Sequence, residues 1–369
     1  MKKTTTMKLG KRALVILLEV LVVLLVFVYT LYGFDVVSFI EALRNVDAWD
    51  ILPIVVFELA YYFSHAAAFW LLCRKRFSIS MWEALGGSML AWLVDILLPG
   101  AFVEGDIARA IFLKTKSDWP SAVSYTIFFR FLINVTMVVF IVFTSLLAIN
   151  LLKFYEEYLV LYLGIVVATL LASLLLVLVL TKPLLVKNVA VFLARKAKVK
   201  RLEKFEKDLE NFLSLVAEAS RDFNFRNIHL WGAVAFLFLQ WVSGILTPFF
   251  SLRAVGANVN LALIGPGYTI LTLYSLASIG IPFMVGSIDA ALLSLYLLLG
   301  VPREKALAAT IIGRSVTILT SLLVIYPIGM FFAKKVFSSR NISVLKESIK
   351  RAAAEYGFAY TFSESSSTG

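Results

Sequence analysis

Runs of about twenty apolar residues recur along this chain, and two of them are broken by proline. No other feature limits the fold so strongly. Lipid gives the backbone no hydrogen-bond partners, so a spanning segment must satisfy its own, as a helix or in a closed barrel. A barrel would show roughly ten-residue segments of alternating polarity, and none is present. The composition agrees: 60% of the 369 residues are hydrophobic and 16% are charged. The chain therefore reads as an all-α integral membrane protein. A single cysteine, Cys73, excludes an internal disulfide framework, and two histidines, His65 and His229, argue against a Cys- or His-built metal site.

Six spanning helices are predicted, at about 13–34, 51–73, 119–150, 158–181, 228–252 and 305–333. Lys2, Lys3, Lys8, Lys11 and Arg12 precede the first, as in a signal peptide. The run from Ala13 to Tyr32 lacks a small-residue cleavage site, so it is expected to be retained. Asp35 to Asp50 reads as a short polar connection. Residues 81–113 and 261–299 are apolar but interrupted, the first at Pro99-Gly100 and the second at Gly280-Ile281-Pro282 and Gly286. Proline and glycine end helices, and a broken helix in a bilayer is tolerated where protein or a water-filled cavity covers its freed backbone groups.

The net charge of +11 reports orientation before it reports partners, and no nucleic-acid ligand is expected. With the N-terminus in the cytoplasm, Arg74-Lys75-Arg76, Lys114, Lys116, the basic segment 182–226 and Lys334-Lys335 all fall on the cytoplasmic side. Of the 35 Lys and Arg, only Arg44, Lys153, Arg253, Arg303 and Lys305 are then external, and Arg130 and Arg314 lie within the membrane. On this walk 81–113 enters and leaves from the cytoplasm, while 261–299 enters and leaves from outside. Each is a re-entrant hairpin. The chain becomes an inverted-topology repeat, 1–152 and 153–335, followed by a polar cytoplasmic tail, 336–369. Such repeats place substrate near the midplane at discontinuous helices. The odd residues keep step: Glu58 lies 41 before Pro99 and Gln240 lies 42 before Pro282. Arg130 lies 31 after Pro99 and Arg314 lies 32 after Pro282.

Arg130 and Arg314 are the sharpest candidates. Each lies near the middle of an apolar helix, where arginine costs roughly 2.5–3.5 kcal/mol on insertion scales. Two readings are open. One is an internal salt bridge, to Glu58, Asp95, Glu104 or Asp289. The other is an anion site, because a guanidinium matches phosphate and carboxylate bidentately. Asn134, one turn past Arg130, shares its face. Glu104, Asp106 and Arg109 follow the first break, either as solvated charges at its mouth or as deeper groups. Asp106 is also placed to cap the returning half-helix. Asp289 lies seven residues after Pro282, the same offset as Asp106 from Pro99. Asp95 is a candidate partner for Arg109. Glu58, His65 and Gln240 read as interhelical hydrogen-bonding groups.

Within 198–219, Leu202, Phe205, Leu209, Phe212 and Val216 follow helical spacing and are flanked by lysines. This predicts an amphipathic helix on the membrane surface, drawn to anionic lipid headgroups. The rival is a dimerising coiled coil and hence a homodimer, for which about three heptads is short. Phosphate-binding loops and H-E-x-x-H motifs are absent, so no catalytic residue, enzymatic activity or cofactor is expected.

Two stretches carry a family resemblance: LLPGAFVEGDIARA, Leu97 to Ala110, and IPFMVGSIDAALLSLYLLLGVPREKALAATIIGRSVT, Ile281 to Thr317. They resemble the signatures of the lysylphosphatidylglycerol synthase transmembrane-region family of flippase-like membrane proteins, over about Ala13 to Lys335. Asp289 stands where that family usually has Glu, and Phe129 where an acid is frequent. The resemblance implies importance for Pro99, Gly100, Glu104, Arg109, Arg130, Pro282, Asp289 and Arg314. The family's soluble aminoacyltransferase domain is not expected here. The resulting expectation is a flippase in the cell membrane, with both termini cytoplasmic. It would move an anionic lipid, either a phospholipid or a polyprenyl-phosphate type. The alternatives are a proton-coupled transporter of a small anion and a non-transporting subunit of a lipid-glycan pathway.

Overall fold

A computed structural model describes residues 24–97, 103–152, 183–196, 227–267 and 286–337, with a few scattered positions elsewhere. Its helices are α1 (Leu24–Leu31), α2 (Val36–Arg44), α3 (Ala48–Phe77), α4 (Met81–Leu97), α5 (Val103–Lys114) and α6 (Trp119–Leu152). They continue with α7 (Pro183–Lys196), α8 (Ile228–Ala254), α9 (261–267), α10 (Ser287–Leu298) and α11 (Arg303–Val336). The described residues contain no strand. Four helices, α3, α6, α8 and α11, are long and apolar enough to cross a membrane, and α1 with α2 would make a fifth if that bent pair is one span. Of the six predicted spans, the one at 158–181 lies outside the described residues save Val167 and Leu178, and residues 13–20, 22 and 23 of the one at 13–34 do too. The tail beyond Phe337 and most of 198–219 also lie outside them.

The architecture is built on α3 against α8. Phe57 stacks on Phe250 with ring centroids 5.4 Å apart, His65 meets Gln240, and Arg74 meets His229. Residue numbers rise on one helix as they fall on the other, so the pair is antiparallel. Reciprocal contacts fix the starts of several helices. Ser80 and Glu83 each accept from the other's backbone N–H at the head of α4, and Asn227 accepts from the His229 N–H at the head of α8. At its other end α3 runs on to Phe77, four residues past its predicted end, and stops where Ser78 turns left-handed.

The first interrupted region folds back on itself. Gly105 faces Asp95, and Gly87 faces Phe112, so α5 returns antiparallel along α4. At the open end of this pair Lys116 Nζ lies 2.5 Å from Glu83 Oε1. Arg76 at the end of α3 donates to Ser121 Oγ at 2.8 Å and pairs with Asp118 at 3.3 Å. Both ends of the pair are therefore held at the same end of α3. The close of α11 joins them there, with Phe332 against Gly86 and Phe112. This is the basic end of the bundle, with Arg74, Lys75, Arg76, Lys116, Lys334 and Lys335.

The second interrupted region begins and ends at the opposite end. α8 finishes there at Ala254, and Lys305 Nζ at the start of α11 donates to the Gly256 carbonyl at 3.0 Å. Between them α9 packs Gly265 against Thr144 of α6 and Gly267 against Leu295 of α10. Residues 268–285, including Pro282, lie outside the described residues save Leu271.

One predicted connection is corrected. Residues 36–44 form a helix, bent 98° from α1. Asp35 caps it by accepting from the Val37 N–H at 2.9 Å, and Val36, Val37, Phe39, Ile40 and Leu43 recur at helical spacing among its charges. Acidic residues near its ends made the stretch look like a loop. Its corner is fastened to α11: Arg303 donates to the Tyr32 carbonyl, and Glu304 accepts from the Asp35 N–H.

Two tests follow. An alanine at Gly105 would set its Cβ 2.6 Å from the Ala91 carbonyl and into Asp95. Overpacking of this kind costs about 1–3 kcal/mol, so Gly105→Ala should lower the thermal unfolding temperature in detergent by several degrees. Burial raises the Asp118 pKa, but hydrogen bonds from Ser121 and Ser117 outweigh it and hold the carboxyl at about 2, against an ordinary 3.8. Its contribution is thus complete above the ordinary value and disappears as pH falls through about 2. Hydrogen exchange across 117–122 should accelerate over that window, and Asp118→Asn should show no such acid step.

Candidate functional site

Both mid-helix arginines are met by the first aspartate after a break. On α5, Asp106 Oδ1 accepts from Arg109 Nη1 at 2.5 Å, and Asp106 Oδ2 lies 3.6 Å from Arg130 Nε on α6. On α10, Asp289 Oδ1 accepts from Arg314 Nε of α11 at 2.8 Å. Asp289 Oδ2 accepts from the Gly286 N–H at 2.7 Å, which closes the first turn of α10. Gly286 stands at φ +89°, a conformation that side chains resist, so glycine suits the turn that aims Asp289. A lone guanidinium in an apolar bundle is costly, and a paired carboxylate removes most of that cost.

The two pairs differ in access. The Arg130 side chain is 35% exposed, whereas that of Arg314 is 11%. Arg109 is buried at 3%, with its guanidinium over the rings of Phe69 and Phe129 and its Nε without a hydrogen bond among the described residues. Arg109 Nη2 also lies 3.4 Å from His65 Nε2, and His65 Nδ1 lies 3.1 Å from Gln240 Oε1. A guanidinium only donates, so Nε2 accepts and the His65 proton sits on Nδ1, shared with Gln240. A chain of contacts thus runs from Arg130 through Asp106, Arg109 and His65 to Gln240, from α6 across α5 and α3 to α8. Arg109 is enclosed within it and positions Asp106.

A second chain starts on the same face of α3, where Glu58, Tyr62 and His65 follow i, i+4, i+7 spacing. Tyr62 donates to the buried Glu58 at 2.7 Å, and its oxygen lies 3.1 Å from Ser321 Oγ. Ser321 opens a π-helical turn, Ser321–Ile325, within α11. Such turns are frequent at functional sites. Arg314 and Ser321 lie seven residues apart on α11, which carries the Asp289 pair and this chain on one helix. Trp92 of α4 lies between the two chains, with ring centroids 4.5 Å from His65 and 5.1 Å from Tyr62.

Other candidates fall as follows. Asp95 accepts from the Gly105 N–H at 2.8 Å and closes the α4–α5 pair; the described ion pair of Arg109 is with Asp106. Asp106 lies inside the first turns of α5, with its carboxylate turned to the two arginines. Glu104 belongs to α5, but its side chain lies outside the described residues, as do Pro99, Gly100 and Pro282. Asn134 is exposed on α6, one turn past Arg130. Tyr62, Ser321 and Trp92 carried no signal in the sequence, since a tyrosine, serine or tryptophan in an apolar run is ordinary packing until its neighbours are known.

Removing one member of a buried ion pair leaves an uncompensated charge, at a cost of roughly 3–5 kcal/mol. Arg314→Gln should destabilise by an amount of that order in SDS-driven unfolding. The double variant Asp289→Asn, Arg314→Gln should recover much of it, whereas additive losses would show that the pair is not coupled.

The family described as Lysylphosphatidylglycerol synthase TM region matches residues 16–325. No curated protein and no solved structure matches the chain significantly. With its paired charges set among long apolar helices, this chain is a multi-pass α-helical membrane protein that belongs to the lysylphosphatidylglycerol synthase transmembrane-region family.

Proposed function

We propose that the protein is a lipid translocase, with no chemistry of its own, that moves an anionic lipid across the cell membrane. The observation that carries this reading is the pairing of each mid-helix arginine with the aspartate after a break, Asp106 with Arg130 and Asp289 with Arg314. A guanidinium held by one carboxylate is ready to exchange it for a phosphate, since both match its fork of donors. The headgroup would meet Arg130 first, the more exposed of the two, while its tails stay in lipid. Only the headgroup then has to be desolvated.

The reading of the fold is an inverted repeat of six spans and two re-entrant hairpins, with both termini cytoplasmic. The hairpin contacts support it. α4 and α5 start and finish at the basic end, and 261–299 starts and finishes at the other. The packing is also reciprocal: α4 lies on α11 through Gly86 and Phe332, and α9 lies on α6 through Gly265 and Thr144. Each hairpin therefore leans on the last helix of the other half. Placing the basic end in the cytoplasm follows the positive-inside rule.

A second reading, a non-transporting subunit, takes its support from the same ion pairs if they never open. Liposomes of phosphatidylcholine with a fluorescent phosphatidylglycerol reporter separate the two. Reconstituted protein should accelerate exchange of the reporter between leaflets, and Arg130→Ala, Arg314→Ala should slow it by at least roughly tenfold, the loss of about 1.4 kcal/mol. Protein that leaves exchange at the rate of empty liposomes for every anionic reporter would count for the subunit.

A further inference from the structure

We propose that the basic end carries a separate anion site, which takes the phosphate of an anionic lipid headgroup. A cavity of about 290 Å³ opens there between the end of α3, the start of α8 and Tyr125 of α6. Lys75 and Arg76 supply its cationic side, and Asn227 and His229 its polar side. The central pairs lie elsewhere, and none of their residues lines it.

Three features give the cavity its ligand chemistry. First, the charge is available. Lys75 is exposed and makes no ion pair among the described residues. Arg76 is held in place by Ser121 and Asp118 through Nη2, which leaves donors of its guanidinium uncommitted to those partners. Arg74 lies behind, over the ring of Trp70 and 3.2 Å from His229 Nε2, and adds to the positive field. Second, the first turn of α8 opens onto the same space. Asn227 caps one of its free N–H groups, that of His229, and the positive end of the helix favours an anion. Third, the opposite wall is apolar, formed by Leu71, Leu72 and the body of Tyr125. A free phosphate would use only the polar rim. A lipid uses both, with phosphate against Lys75 and Arg76 and its glycerol root along the leucines.

Size and place agree. The volume is at the lower limit of about 300 Å³ for small-molecule sites, which is room for a headgroup and not for acyl chains. Those are left to the bilayer, at the level where α3 ends. Basic pockets between spanning helices bind anionic headgroups in this way. The assignment does not rest on the translocase reading.

The test titrates the full chain, purified in detergent, with dioleoylphosphatidic acid and counts bound lipid by native mass spectrometry. Parallel arms use dioleoylphosphatidylcholine and inorganic phosphate. Wild type should bind phosphatidic acid more tightly than phosphatidylcholine. Lys75→Glu should weaken phosphatidic acid binding by roughly tenfold or more, and Lys75→Arg should keep it within about twofold, because the site asks for charge at an exposed position. Lys116→Gln, at the same basic end but outside the cavity lining, should keep it too, which separates this site from the general charge of that end. Equal binding by wild type and Lys75→Glu overturns the site. Protection by inorganic phosphate with no preference for phosphatidic acid overturns its assignment to lipid. Unfolding temperatures of the three variants exclude loss of fold, and an exposed lysine is the position least able to cause it.

Discussion

A guanidinium in an apolar helix has to be met by a carboxylate, and this requirement organises the bundle. Arg130 and Arg314 each lie in a long hydrophobic helix, where a charge is costly. The aspartates that meet them come from α5 and α10, the helices that follow the two chain breaks. The first interrupted region folds back far enough to bring Asp106 beside α6, and α10 brings Asp289 beside α11. Asp95, by accepting from the Gly105 N–H, and Asp289, by accepting from the Gly286 N–H, show carboxylates also serving backbone freed near those breaks.

Small residues make this geometry attainable. Gly86, Gly87 and Gly105 let α4 lie close to α11 and α5, and Gly265 and Gly267 do the same for α9 against α6 and α10. Between helices in lipid there is little hydrophobic driving force, so close packing and interhelical hydrogen bonds must hold the bundle. The α3–α8 pair shows both. Phe57 on Phe250 is packing, and His65 on Gln240 is a hydrogen bond that extends to Arg109 and the Asp106 pair. On the proposed reading, the opening of either ion pair would be felt across that central interface, because Trp92 touches both His65 and Tyr62.

Much of this was legible in residue order. Apolar runs located α3, α6, α8 and α11 to within a few residues, because a helix in lipid must be apolar over its whole length. The matched offsets of Asp106 and Asp289 from their prolines were visible as well. Their pairing was less so. Asp106 read as a helix cap, since sequence spacing shows only its own helix, where Arg109 lies at i+3; Arg130 is on another. Helix α2 was lost for a similar reason. Its charges look like those of a loop until Arg303 and Glu304 are seen to fasten its corner.

The sequence by itself determined that the chain is a helical membrane protein, where its long helices run and which two arginines are out of place among apolar residues. These are local consequences of hydrophobic length and charge, so they need no partner. Only the tertiary structure decided which carboxylate meets which arginine. It also decided that Arg109 is enclosed while Arg130 is partly open, and that Lys75, Arg76 and His229 surround one cavity. Those facts depend on contacts between helices far apart in the chain, and one turn more or less in a connection would change every one of them.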